Sequence, residues 1–126
     1  GGFAYVYLIY GMYHCFNVVT NVAEKPEVVL IRALEPVDGL ELMIKRRKTD
    51  KVTNLCSGPG KLCVAMDITK RDNGMDLCGD SLYITYGSEV MEKDIAATPR
   101  INIDYAGEAK NYPWRFIIKD NKYVSR

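Results

Sequence analysis

Histidine is nearly missing: the 126 residues hold one, His14, beside four cysteines. None of Cys15, Cys56, Cys63 and Cys78 forms a Cys-x-x-Cys pair. A structural zinc site therefore lacks its usual ligand spacing, and no metal is expected. Two disulfides are conceivable from an even set, but Cys15 falls in an apolar strand pattern and Cys63 on a helical one. Buried free thiols in a reducing compartment are the expectation. No apolar run reaches the length of a membrane span, and no secretory signal pattern is visible. A dominant sign of charge is missing too: 17 Lys and Arg stand against 16 Asp and Glu, a formal net of +1. That balance leaves a nucleic-acid partner open, because a local basic patch suffices. Repeats, linkers and low-complexity segments are absent. At 126 residues, 48% hydrophobic and 26% charged, this is one domain's worth of ordinary globular chain. It opens Gly1-Gly2-Phe3 rather than on Met, and reads as a piece of a longer protein.

Aromatic and branched residues are plentiful around one glycine, from Phe3 through Gly11 to Val19. Two strands joined by a tight turn read this way. A three-residue loop at Tyr10-Gly11-Met12 pairs Ile9 with Tyr13, Tyr7 with Cys15 and Tyr5 with Asn17. Gly11 supplies the positive φ such loops need. Tyr5, Tyr7, Cys15 and Asn17 then share one face, and Val6, Leu8, His14 and Phe16 the other. Tyr7 and Asn17 fall on a diagonal roughly 7–8 Å apart at the backbone. A hairpin buried on both faces accounts for most of this. It leaves Tyr10 and Met12 at an exposed tip, where turns favour small polar residues. A wedge between stacked bases is the competing account of that tip.

Downstream, Thr20–Pro26 reads as a loop and Glu27–Leu34 as a central strand with one charge, Arg32. Such a charge lies exposed at a strand end or pairs with an acid, and Glu35 is nearby in sequence. A helix follows Pro36-Val37-Asp38-Gly39, with Asp38 as N-cap and Leu40, Met43, Ile44 and Arg47 as its inner stripe. Lys45, Arg46, Arg47, Lys48 and Lys51 put five positive charges into seven positions. The run is either a solvated helix end favoured by the dipole or a phosphate contact. A second helix starts within Leu55–Leu62, with Ser57 as N-cap, Pro59 in the first turn and a stripe of Leu62, Cys63 and Met66. Its start is either a capped structural end or an anion site with Lys61 one turn in. The spacing of a nucleotide P-loop is not there. Thr69–Gly74 is a charged turn, and Ser81–Tyr86 alternates as a strand. Ala96–Ile103 reads as a strand whose first half is an edge, because Pro99 lacks a donor. Asp104–Tyr112 suits a short helix stopped by Pro113, Trp114–Ile118 a last strand, and Asp120-Asn121 a turn.

Tyr5-Val6-Tyr7-Leu8-Ile9-Tyr10-Gly11-Met12, then Asn17, then Ile31-Arg32-Ala33-Leu34-Glu35-Pro36, resembles the alkyladenine (3-methyladenine) DNA glycosylase family. Leu55-Cys56-Ser57-Gly58-Pro59-Gly60-Lys61-Leu62 and Pro99-Arg100-Ile101 through Trp114-Arg115-Phe116 continue the likeness in the same order. The resemblance implies excision of alkylated or deaminated purines flipped out of double-stranded DNA, by water attack and without cofactor. By that likeness Tyr10 is the intercalating wedge, with Met12 beside it. Tyr7 walls the base pocket, Asn17 turns away the 2-amino group of guanine, and Arg32 supports water and charge. Ser57, Gly58, Gly60 and Lys61 would take a DNA phosphate, with Lys45 and Arg46 of the basic run as further phosphate contacts. Glu35 matches a structural position. The family's general base lies in an acidic-Ala-Tyr motif upstream of the hairpin, and no such motif occurs here. The chain alone is therefore expected to be inactive. A non-catalytic DNA-binding module, or a structural domain whose tip and basic run meet protein, are the alternatives. The fold expected is α+β: a single domain with a curved, mostly antiparallel sheet, short helices and a projecting hairpin. A monomer off the membrane is expected, in a bacterial cytoplasm or a nucleus.

Overall fold

The computed structural model describes residues 1–20, 27–99, 112 and 114–124. The architecture is α+β with antiparallel sheets. Its chain clusters into two compact units, Gly1–Tyr86 with Tyr123–Arg126, and Gly87–Lys122.

In the first unit, β1 (Ala4–Ile9), β2 (Tyr13–Val19) and β3 (Val28–Leu30) form an antiparallel sheet in that order. The β1–β2 register is the expected one, with Ile9 opposite Tyr13, Tyr7 opposite Cys15 and Tyr5 opposite Asn17. Alternation then sends Ala4, Val6 and Phe16 into the core. The run Glu27–Leu34 departs from expectation: only three residues pair, and β3 lies at the sheet edge rather than its centre. The Ile31 amide still reaches the Phe16 carbonyl, but Leu34 bonds instead to Cys56, so the chain leaves the sheet for the helical layer.

That layer holds α1 (Leu40–Arg47) and α2 (Pro59–Met66). Leu40, Met43 and Ile44 face the core as their spacing requires. Asp38 is not the cap; Gly39 takes that position at φ 73°, a left-handed conformation open to glycine. Gly58, not Ser57, caps α2, with Pro59 at the first helical position. The inner residues of α2 are Leu62, Cys63 and Ala65, whereas Met66 is exposed, one position off the predicted stripe. Leu62 and Leu55 are fully buried, and truncating either to Ala removes about 2–5 kcal/mol.

The charged turn is a single 3-10 turn, Lys70–Asp72, closed by a capping box from Thr69. It brings the next residues along the outer edge of β1. Ala4 donates to the Met75 carbonyl, Gly74 to the Ala4 carbonyl, and the Val6 amide to Asn73 Oδ1 at 2.9 Å. Ser81–Tyr86 does not form the expected strand. The Ile84 amide donates to the Leu77 carbonyl at 2.9 Å, and Tyr83, Ile84 and Tyr86 stand exposed. Alternation alone gave it no partner to pair with.

The second unit pairs β4 (Ile95–Thr98) with β5 (Arg115–Ile118) antiparallel, Ala97 opposite Phe116. Both strands were expected, β4 one residue later. The continuation of β4 through Ile103, the helix over Asp104–Tyr112, Pro113 and most of the Thr20–Pro26 loop lie outside the described residues. Among the described residues no helix is long and apolar enough to cross a membrane. All four cysteines are free.

Candidate functional site

Turn chemistry shapes the hairpin tip first. The Met12 amide donates to the Ile9 carbonyl at 3.1 Å, closing a turn whose central residues are Tyr10 and Gly11. Both have positive φ, 55° and 67°, which matches the twist of paired strands. For Gly11 this conformation is easy; for a bulky tyrosine it is an outlier of about 1–3 kcal/mol, a kind of strain that concentrates at functional sites. Burial does not compensate it, because Tyr10 is 80% exposed and Met12 70%. The tip thus presents an aromatic ring and a thioether to solvent on a strained turn.

Below the tip, the face opposite the core carries a polar cluster. Tyr7 lies directly opposite Cys15 across the hairpin, and Asn17 opposite Tyr5 on the same face. Asn17, only 2% exposed, donates its amide to the Tyr5 carbonyl at 3.2 Å. The Tyr5 and Tyr7 rings lie 5.2 Å apart and tilted. Burial, then the neighbouring Cys15 and Tyr5, pushes the Tyr7 phenol above its ordinary value, so it stays neutral. Burial also pushes the Cys15 thiol up, against the pull of the Arg32 charge. Cys15, a residue given no role from the sequence, thus sits opposite Tyr7 and within the reach of the Arg32 charge. The register was the signal for it, since it set Cys15 opposite Tyr7.

The start of α2 adjoins this hairpin. A Cβ placed on Gly60 would lie 3.2 Å from Cδ1 of Tyr13 and 3.3 Å from its Cβ. The helix start carries no side-chain cap, leaving its first amides to other acceptors. Lys61 Nζ donates to Asn54 Oδ1 at 2.8 Å, and the Ser57 hydroxyl donates to the same oxygen at 3.4 Å. Ser57, Gly58, Gly60 and Lys61 are thus one group, organised by Asn54 and bordered by Tyr13, neither of which was singled out from sequence.

Lys45 and Arg46 do not join them. Arg46 donates to the Ala65 carbonyl at 2.9 Å, at the C-terminal end of α2, about 9 Å from Pro59 by the rise over six residues. Arg47 bonds the carbonyls of Leu55 and Asn54, both at 3.0 Å. Lys45 is exposed, and so is Glu35. Among the described residues no cluster of three His, Cys, Asp or Glu side chains is placed to hold a metal ion.

The model of the methylpurine-DNA glycosylase family matches residues 1 to 122. The chain belongs to that family. A protein of Alkaliphilus oremlandii named "Putative 3-methyladenine DNA glycosylase" is 53% identical over 133 residues, covering 99% of this chain and 65% of that protein. Proteins of the same name from Clostridium novyi and Bacillus cereus are 51% and 53% identical, covering 100% and 99% of this chain and 66% of each relative. The family chain described here thus spans just under two thirds of the length of these relatives.

Proposed function

We infer that this chain carries the DNA-facing part of a base-excision repair N-glycosylase acting on alkylated or deaminated purines of the 3-methyladenine and hypoxanthine type. The observation that carries the reading is the tip: Tyr10, 80% exposed, is held at φ 55° where packing gives no reason for it. A base leaving the duplex opens a gap, and a flat side chain filling it offsets part of the unstacking cost of a few kcal/mol. Tyr10 fills that gap from the minor groove, with Met12 beside it.

The extruded purine then lies against Tyr7. The Asn17 amide crowds the 2-amino group of guanine and so disfavours the normal base. Arg32 steadies the water and the charge that develops as the sugar becomes cationic. Water adds to the sugar carbon, the carbon–nitrogen bond breaks, and the free base leaves behind an abasic site. Amides at the start of α2 and Lys61 hold a backbone phosphate. The carboxylate that takes the proton of the water belongs to the family's acidic-Ala-Tyr motif, which these residues do not include. The 126-residue polypeptide by itself accordingly binds damaged duplex as a monomer without turnover, and its setting is wherever the DNA lies, bacterial cytoplasm or nucleus.

The test is binding to a duplex holding an abasic gap. Tyr10→Ala is expected to weaken it about tenfold, in line with ~1–3 kcal/mol for aromatic stacking on bases, with the melting temperature nearly unchanged. Normal gap binding accompanied by a large loss of stability would instead make Tyr10 a packing residue.

A further inference from the structure

The wedge and the phosphate grip meet at one contact, the Tyr13 ring against Gly60. We propose that Gly60 is a positioning residue: its missing side chain lets Tyr13 lie against the start of α2 and fixes the distance between hairpin tip and helix start. This role rests on the wedge and phosphate assignments above.

Three observations lead to it. Tyr13 is the first residue of β2 and pairs with Ile9, the last residue before the turn. Whatever moves Tyr13 therefore moves the base of the tip, and Tyr10 with it. Gly60 is the second residue of α2, among the amides that an anion would bind. A Cβ there meets Cδ1, Cβ and Cγ of Tyr13 at 3.2, 3.3 and 3.4 Å. Two of those three atoms sit at the root of the side chain, so a rotation of the ring does not clear them. Strand and helix must separate by a few tenths of an ångström.

Glycine is otherwise a poor choice at this position. In a helix it costs about 1 kcal/mol relative to alanine, and its φ is not in the left-handed region. Neither helix formation nor backbone conformation asks for it. The approach of Tyr13 does. DNA contacted at two points spaced by a rigid contact is gripped and pried open together; widening the spacing by a few tenths of an ångström leaves each contact possible but not both at their best geometry.

The experiment uses the 126-residue chain as a double-mutant cycle of Gly60→Ala and Tyr13→Ala, read by fluorescence anisotropy on an intact duplex and on one with a tetrahydrofuran abasic gap. Fluorescence of a 2-aminopurine opposite the gap reports wedge insertion, and melting temperatures are taken throughout. Gly60→Ala is expected to reduce the preference for gapped over intact duplex about threefold to tenfold, less than a full ångström of misplacement costs. Because Gly60 belongs to the phosphate grip, the salt slope on intact DNA is measured beside that preference. A lowered slope with the gap preference kept would make Gly60 a phosphate contact alone and overturn the spacing role. Tyr13→Ala also reduces the preference, and the double variant loses less than the sum of the two, because removing the ring removes two of the three close contacts and leaves only the Cβ at 3.3 Å. The double variant, relieved of the ring atoms, also keeps the test readable if Gly60→Ala folds poorly. Additive losses in the cycle, or a preference unchanged in Gly60→Ala, would overturn the positioning role. A wild-type chain with no gap preference would overturn the wedge assignment, and this role with it.

Discussion

Asn17 is 2% exposed and donates its amide nitrogen to the Tyr5 carbonyl, so its side-chain amide has one orientation. That fixity suits a group meant to exclude an exocyclic amine, and it also gives a purely structural role to be separated from the selective one. In a family member that carries the general base, Asn17→Ser is expected to raise excision of guanine-like bases relative to hypoxanthine. Losing the bond to Tyr5 costs about 1 kcal/mol of stability. An unchanged excision ratio with that stability loss would leave Asn17 only as a clamp on β1. The buried thiols give a second residue-scale expectation. Burial pushes Cys63 up to about 12 from an ordinary 9.0, with a smaller push from the nearby Cys15. A thiol harder to ionise when folded contributes stability below its ordinary value. That stability is lost as pH rises from about 9 towards 12. Denaturant titrations at pH 8 and pH 10 should show the fall, with a shallower slope in Cys63→Ala after its lower starting stability is allowed for.

Among the elements, the hairpin was legible to the last pair because its signal was local: a glycine at the tip, alternation on both sides, and a loop length that sets the register. Positive φ at Tyr10 was not legible, since sequence rules assign that conformation to glycine and asparagine and not to an aromatic. Strands depending on distant partners fared worse. Glu27–Leu34 had the composition of a central strand, yet the pull of Leu34 towards Cys56 cut it to three residues. Ser81–Tyr86 had the alternation without a neighbour. Helix caps slipped by one residue at Asp38 and Ser57, each time to a glycine that terminates more easily than the polar side chain beside it. In the site, the shared face of Tyr7 and Asn17 followed from register and their roles from the family likeness, but Tyr13 and Asn54 needed the packing of α2 against β2, which no local pattern encodes. The outer edge of β1 offers a test at this scale. Asn73→Ala leaves the Val6 amide, in a residue 3% exposed, without its acceptor. A loss of about 1–3 kcal/mol is expected, measured by urea unfolding; a loss below a few tenths would mean that water replaces Asn73 there.

For the molecule as a whole, the function proposed above separates binding from turnover. The residues proposed as wedge, pocket wall and phosphate grip all lie between Tyr7 and Lys61, while no acidic-Ala-Tyr sequence occurs anywhere in the 126 residues. Absence of a general base alone lowers a rate by about 10²–10⁴-fold. Single-turnover excision on a hypoxanthine duplex, with this polypeptide in excess, is expected to fall at least that far below a family chain containing the motif. Comparable rates would pass the proton-accepting role to a carboxylate within this chain, Glu35 first among them. Such measurements gain from the way the four thiols are distributed. Three are sealed in the interior and Cys78 alone is exposed, on the unit that also carries the hairpin. A maleimide dye therefore labels the native chain at one site with no engineered cysteine, and energy transfer from it to a fluorophore on the duplex reports where along the DNA the hairpin comes to rest.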